Sequence, residues 1–436
     1  MNRFHHILTT VLIACTAVAL GACSMMEEDR SDCPTGLFVR FVYDYNTQRA
    51  DMFKDHVGYV TVYVYDESGQ KVAQKSVANT TATMPLAQYG YTMHFTPEEL
   101  SSVSSSFPAG SSTPHRYRLQ AVAMQKDWDN ALQTPGAKYR RTNPTHANPA
   151  TDNPADPNTL VITLDNEPAT VSDASPSAVS NAAPMDTLWH TLKVMPAEPT
   201  FGHSIPAMPK TTKPYSIHPT NEQMVTVREG YATYATVSLI RDTKHLNITL
   251  RQLDDPADIN ADDYEVTIVD RNSTLASDNS LASDKALLYT PYAQWTTRFD
   301  NDGLAIEGDI HPAPVPNAAN ASQRGGAVRK AAVVTERTAH YNLMFNRLMY
   351  EEDFSKAAQL KIRNKQTGET VALINLSTML AECRISPEWN YPAQEYLDRE
   401  YDYELDFFLK GDKWQYCDVH IHVLSWTKRK QNVVLG

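Results

Sequence analysis

The sequence predicts an all-β chain organised as two β-sandwiches in tandem, and three features carry that prediction. β-Branched and aromatic residues alternate at period two in segment after segment of the 436 residues. Pro (26) outnumbers Gly (16) and Tyr is abundant (22), a balance that suits strands joined by long ordered loops better than a helical bundle. The strand pattern also restarts after a Pro-rich stretch at 196–219, and 436 residues fit two or three domains at roughly 100–200 residues each.

The N-terminus indicates export. Residues 1–22 read as a secretory signal, with Arg3 in the leading segment and an apolar run from Ile7 to Leu20 that is short of the about 20 residues of a membrane span. Leu20-Gly21-Ala22-Cys23 resembles a bacterial lipobox, so the mature chain is expected to begin at Cys23, with diacylglycerol and a further acyl chain on that residue. Residues 23–35 form the expected tether, and its acidic run Glu27-Glu28-Asp29 resembles the surface-export signal of Bacteroidota lipoproteins. Of five cysteines, Cys15 leaves with the signal and Cys23 is acylated. Cys33, Cys383 and Cys417 remain, enough for one disulfide in an oxidising compartment. Cys383–Cys417 is the expected pair because both lie in the C-terminal half, although spacing alone does not establish it.

The elements follow in order. Leu37 to Tyr45 is a strand, and Val57 to Tyr65 alternates Val with Tyr and Thr before Asp66-Glu67-Ser68-Gly69 turns it into a returning strand, Gln70 to Val77. Thr96-Pro97-Glu98-Glu99-Leu100 carries the signals of a short helix start. Tyr117 to Met124 and Leu160 to Leu164 are strands. Residues 142–158 and 165–186 read as loops or flexible surface segments, and the connection between sandwiches is expected within 196–219. Strands resume at Met224–Glu229, Thr233–Arg241, His245–Leu250, Tyr264–Asp270, Lys330–Thr338 and Tyr341–Leu348. Next come a hairpin around Gln366-Thr367-Gly368-Glu369, a short helix at Leu376–Cys383, and the strands Tyr401–Leu409 and Trp414–Trp426.

The search for chemistry is thin. A formal charge of −12 argues against nucleic-acid binding, which needs cations to neutralise phosphates. His420-x-His422 has metal-like spacing on one strand face but no third ligand at a fixed offset, and solvent-facing alternation explains it equally well. Asp254-Asp255 and Asp262-Asp263 lack the spaced acids of a calcium loop and read as solvated turns, and Glu351-Glu352-Asp353 as a helix N-terminus. No local signature of a hydrolase or a phosphate-binding loop occurs, so neither an enzyme nor a small-molecule cofactor is expected. Of six Trp residues, Trp128 is the most loop-like and is the candidate exposed aromatic. Asp186-Thr187-Leu188 matches the short O-glycosylation pattern of secreted Bacteroidota proteins, which makes Thr187 a candidate acceptor. Arg140-Arg141 and Lys428-Arg429-Lys430 are trypsin-like sites in principle.

Several segments together resemble one family. Asp32-Cys33-Pro34 followed by Val39-Arg40-Phe41-Val42-Tyr43-Asp44-Tyr45-Asn46, then Val57-x-x-Val60-x-Val62-x-Val64-Tyr65-Asp66, is similar to the fimbrillin-associated anchor proteins of Bacteroidota. Ala235 to Arg241, Leu246-x-Ile248-x-Leu250 and the closing Val419 to Trp426 add to the resemblance. It implies two transthyretin-like sandwiches, at 36–195 and 220–436, in an outer-membrane lipoprotein at the base of a fimbria. It also implies fimbrial shaft or accessory subunits as partners, joined by strand association, and a role in limiting shaft length. Leu37–Tyr45 and Asp418–Trp426, nearest the termini, are the expected exchangeable strands. The competing expectation is a surface glycan-binding lipoprotein of a nutrient-uptake system.

Overall fold

The computed structural model describes residues 35–78, 86, 90–101, 114–126, 136–145, 159–165, 177–178, 183–197, 224–254, 259–282, 285–299, 305, 336–386, 389–423 and 426–433. Its first unit is one sheet built from β1 (Gly36–Val42), β2 (Tyr59–Tyr65), β3 (Lys71–Ala78), β4 (Thr92–Phe95), β5 (His115–Met124), β9 (Leu188–Pro196) and β11 (Ala232–Arg241). They run in the order β3-β2-β5-β9-β11-β1-β4, with β10 (Val225–Val227) paired to β5. Period-two alternation sends Leu37, Val39 and Phe41 of β1, Val60, Val62 and Val64 of β2, and Ala235, Val237 and Leu239 of β11 into one core. The hairpin expected after β2 forms: Gly69 takes φ 84° and the Asp66 carboxylate accepts from the backbone N–H of Ser68 and Gln70.

In the second unit, β12 (Lys244–Gln252), β16 (Ala293–Phe299), β17 (Glu336–Phe345), β22 (Asp402–Lys410), β23 (Lys413–Val423) and β24 (Trp426–Val433) form a sheet in the order β16-β17-β12-β22-β23-β24. Facing it are β8 (Ser177–Ala178), β13 (Tyr264–Asp270), β15 (Leu287–Tyr289), β18 (Gln359–Asn364) and β19 (Thr370–Asn375), in the order β19-β18-β13-β15-β8. Leu246, Ile248 and Leu250 of one sheet share a core with Val266, Ile268, Leu360 and Ile362 of the other.

A small third sheet ties the units together. β6 (Lys138–Arg141) and β7 (Val161–Asp165) come from the first half, and β14 (Thr274–Ala276) from the second. Tyr139, Ile162 and Leu164 lie in the same buried cluster as Tyr63, Tyr65, Val122 and Met124 of the first sheet and Leu275 of the second unit. The fold class is therefore all-β as expected, but the sheets do not part at 196–219. β10 and β11 lie beyond that stretch and complete the first sheet, while β6, β7 and β8 lie before it and pair with later strands. The chain passes from the first large sheet to the second between Arg241 and Lys244. Local alternation cannot reveal such exchanges, because a strand's pattern reports a buried face and not the identity of its neighbour.

Candidate assembly surface

The sheet edges and termini are where a partner strand would engage. In the first unit the two edge strands meet. Lys75 Nζ of β3 donates to the His94 carbonyl of β4 at 2.6 Å and lies 2.8 Å from Glu99 Oε1. Glu99 is held by α2 (Pro97–Leu100), where Thr96 and Glu99 form a reciprocal capping box with Pro97 at the first helical position. The lysine thus closes the sheet's open side.

β1 lies inside this sheet and not on its rim. It pairs in parallel with β11 from Gly36↔Ala232 to Val42↔Ser238, and antiparallel with β4 from Leu37↔Phe95 to Arg40↔Thr92. Gly36 adopts φ 108°, and a side chain there would collide with the Phe95 carbonyl oxygen. At the C-terminus, β23 is again internal, between β22 and β24. Among the described residues β24 pairs only with β23, in eight register pairs from Tyr416↔Val433 to Val423↔Trp426, and is the terminal edge strand. The single closing strand expected at 414–426 is therefore two strands, of which only the second is at an edge.

Between the units lies a buried polar junction. It is centred on the two residues that link β11 to β12, Asp242 and Thr243, each 0% exposed. Asp242 Oδ2 meets His190 Nδ1 at 2.5 Å. Thr243 Oγ1 accepts from the Leu188 N–H at 3.0 Å and bonds the Tyr139 hydroxyl at 2.8 Å. Lys244 Nζ donates to the carbonyls of Asp398 and Glu400 at 3.0 and 2.8 Å, and burial lowers this ammonium to about 8. Arg347 grips Asp398 with two bonds of 3.0 Å, and both side chains are buried. Gln394 and Asp398 sit on α3 (Ala393–Arg399), a helix the sequence reading missed, although Pro392 before it and the Glu395/Arg399 pair inside it were the available signals. Asn272 binds Asp270, Tyr289 and the carbonyls of Asn346 and Arg347.

The segment after β1 crosses to the second unit. Its loop closes through Met52 N–H to the Tyr43 carbonyl and is braced by the buried Asn46. Thr47 Oγ1 donates to Glu400 Oε2 at 2.9 Å, Arg49 Nε donates to the Tyr391 hydroxyl at 3.0 Å, and Arg399 lies 4.0 Å over the Tyr45 ring. Burial pushes the Glu400 carboxyl up, against the hydrogen bonds it accepts from Tyr401 and Asp402 N–H. His56, from α1 (Phe53–His56), packs edge-on to Tyr43 and Tyr401, and burial pulls its imidazole down to about 4.

The expected site residues fare unevenly. Cys23, Glu27, Glu28, Asp29, Cys33 and Trp128 lie outside the described residues. Cys383 and Cys417 do not form the expected disulfide: both are buried in the second unit's core without a bond to each other, and burial pushes the Cys417 thiol up. Thr187 is only 2% exposed, its N–H donates to Asp186 Oδ1 and its carbonyl accepts from Gln125, so the folded chain does not offer it to a glycosyltransferase. His420 is bound into a carboxylate row instead of a metal site. Its Nε2 lies 3.5 Å from Asp406 Oδ2 and its Nδ1 3.9 Å from Glu404, and these acids outweigh burial and raise its pKa. Among the described residues no group of His, Cys, Asp and Glu could hold a metal ion. Arg141 belongs to β6, where it donates to Thr61 Oγ1 and Tyr63 OH. Glu351 to Asp353 starts a turn, with Asp353 accepting from the Ser355 N–H, and not a helix. Asp254 and Asp262 serve turns as expected, bonding Gly411 N–H and the Gln294 side chain.

Comparison with known proteins adds the remaining findings. The model of the family of fimbrillin-A associated anchor proteins Mfa1 and Mfa2 matches residues 30–432. A protein described as an adhesin from Bacteroides thetaiotaomicron is 19% identical with a TM-score of 0.56, over 92% of this chain and 99% of that one. A second from the same organism, described as polysaccharide-binding, is 22% identical with a TM-score of 0.53, over 91% and 98%. A Bacteroides ovatus protein described as an adhesin is 19% identical with a TM-score of 0.51, over 91% and 95%. No curated protein sequence matches the chain.

Proposed function

Because the chain belongs to the fimbrillin-A associated anchor family, we propose that it is a structural, non-enzymatic lipoprotein of the outer membrane that holds a fimbria to the cell surface and limits its length. The observation that carries this reading is the family match across residues 30–432, nearly the whole mature chain expected from Cys23. In this role the lipid on Cys23 anchors the protein. Each buried methylene contributes about 0.8 kcal/mol, so two or more chains hold durably. The shaft or accessory subunit adds a strand to a sheet edge, with main-chain hydrogen bonds for adhesion and alternate side chains for fit. The geometry of the edges favours β24 over β1 as the place of that exchange. β1 has a partner on both sides, and its departure would open the core around Leu37, Val39 and Phe41. Among the described residues β24 has a partner on one side only.

The test is a Cys23→Ala substitution in the native host, read by microscopy and by blotting of cells and medium. Release of the protein together with fibres supports the reading, and fibres kept at wild-type density on the mutant cells refute it. A crosslinked pull-down of the tagged lipoprotein from intact outer membrane then identifies the partner. A fimbrial subunit as the main product supports the anchor. Nutrient-uptake porins without a fimbrial subunit would replace it with the glycan-binding alternative. Among the described residues the large exposed apolar side chains are Leu253, Phe354, Leu373 and Ile385, none of them a Trp or Tyr suited to a sugar platform.

A further inference from the structure

The geometry points to β1 as a mechanical clamp: the strand that receives the tether carries tension into the second unit by shear along β11. The inference rests on the anchor reading for its purpose but not for its physics.

Four observations carry it. The tether reaches the fold at the start of β1, where the Gly36 N–H donates to the Tyr231 carbonyl at 3.0 Å. β1 and β11 are parallel and in register over all seven residues of β1. A pull on the start of β1 against the end of β11 therefore slides one strand along the other and loads the whole ladder at once. Opening the same ladder from one end would load its bonds one at a time. The end of β11 runs through Asp242 and Thr243 straight into β12, an interior strand of the second unit's main sheet, paired with β17 on one side and β22 on the other. Slip of β1 would also drag Leu37, Val39 and Phe41 out of a core in which each is at most 2% exposed, so apolar burial resists the same displacement.

A parallel strap reinforces the path. The loop after β1 reaches the second unit through Thr47–Glu400, Arg49–Tyr391 and Tyr45–Arg399, so β1 is tied to that unit at its far end as well as through β11. On its other flank β4 adds four antiparallel pairs to β1, and Lys75 closes the sheet beyond them. Tension applied at the tether thus meets a strand held on both flanks and at its far end.

The experiment is single-molecule pulling on the mature chain, with an N-terminal tag in place of the lipid and a click handle at one of two exposed positions. With the handle at Leu253, just past β12, the β1–β11 ladder is loaded in shear. With the handle at Glu229, just before β11, the same ladder is opened from its end. Forced unfolding reports the unfolding rate under each geometry, and the two chains differ only in handle position. The expected result is a rupture force severalfold higher for Leu253 than for Glu229. Equal forces, or a lower force for Leu253, would overturn the clamp. The outcome is separable from the anchor reading. A low shear force in a protein whose Cys23→Ala variant sheds fibres removes the clamp and keeps the anchor. A high shear force in a protein that pulls down no fimbrial subunit keeps the clamp and removes the anchor.

Discussion

The two terminal strands of this molecule occupy opposite positions. β1 is the second strand in from its edge, parallel to β11, with three side chains locked in the core. Among the described residues β24 is the last strand of its sheet and rests on β23 alone. From sequence alone the two ends looked equivalent, as alternating runs near a terminus. The difference teaches that exchangeability is a property of neighbours and not of composition: a strand with two ladders loses both when it leaves, and an edge strand loses one. It also suits an anchor in which one end must hold and the other is free to engage.

That contrast can be broken most forcefully by proline. Val39→Pro removes a ladder N–H in the middle of β1 and should abolish folding, since interior strand positions do not accommodate proline and the core around Leu37 and Phe41 opens as well. Gln431→Pro in β24 should leave the thermal transition of both cores within a few degrees of wild type, as an edge strand tolerates proline. Circular dichroism melts of the two variants check the pair, and equal losses would erase the distinction between the ends. Next in size, Arg347→Ala leaves the buried Asp398 carboxylate without its cation and should destabilise by about 3–5 kcal/mol, read by denaturant unfolding. A matched Arg347→Met/Asp398→Leu pair should recover most of that loss.

Acidity should separate the two units. The His56 imidazole, at the contact between Tyr43 and Tyr401, is held near 4 against an ordinary value of about 6.5. Its contribution is complete above pH 6.5 and is lost as pH falls towards 4, by at most about 3 kcal/mol. Asp270, in the second unit, is raised by burial to about 7. The folded state then holds a proton that the unfolded state releases, so its effect is opposite: stability falls as pH rises from about 4 to 7, by at most about 4 kcal/mol. Unfolding measured at pH 4 to 8 should show His56→Gln flattening the acid side and Asp270→Asn flattening the neutral side. An unchanged profile in either variant would contradict the corresponding assignment. The smallest effect expected is that of Thr47→Val, which takes one hydroxyl donor from buried Glu400 and should cost about 1 kcal/mol. It should also lower the shear rupture force while leaving the end-opening force unchanged.

Much of the fold was legible because the signals are local. The Val60/Val62/Val64 alternation, the Asp66–Gly69 turn, the capped start at Thr96-Pro97 and the Gly368 hairpin all specify their own conformations through side-chain direction, φ > 0 and hydrogen bonding within a few residues. What stayed hidden is nonlocal. β6 and β14 are four and three residues long and draw their stability from partners far along the chain. The polar junction assembles Asp242, Arg347, Asp398 and Glu400, none of which carries a spacing motif. Cys383 and Cys417 suggest a pair because both lie in the C-terminal half, whereas the fold buries both in the core without a bond to each other, since position along the chain does not set the distance between two thiols. Thr187 matched a modification pattern, but a short motif carries no information about burial, and β9 begins at the next residue.

The parallel ladder between β1 and β11 also bears on how the chain is made. Residues 36–42 meet β4 early in the chain but their seven-residue ladder forms only with 232–238, and β7 and β8 wait for 274–276 and 287–288 to complete their pairing. A chain delivered from its N-terminus therefore presents one flank of its first strand unpaired long before β11 arrives to cover it. The first sheet cannot be completed while residues 225–241 are still to be synthesised. The ladder that holds β1 in the finished protein thus imposes a long wait on the unfinished one, and a chaperone bound during that interval would shield the strand from aggregation.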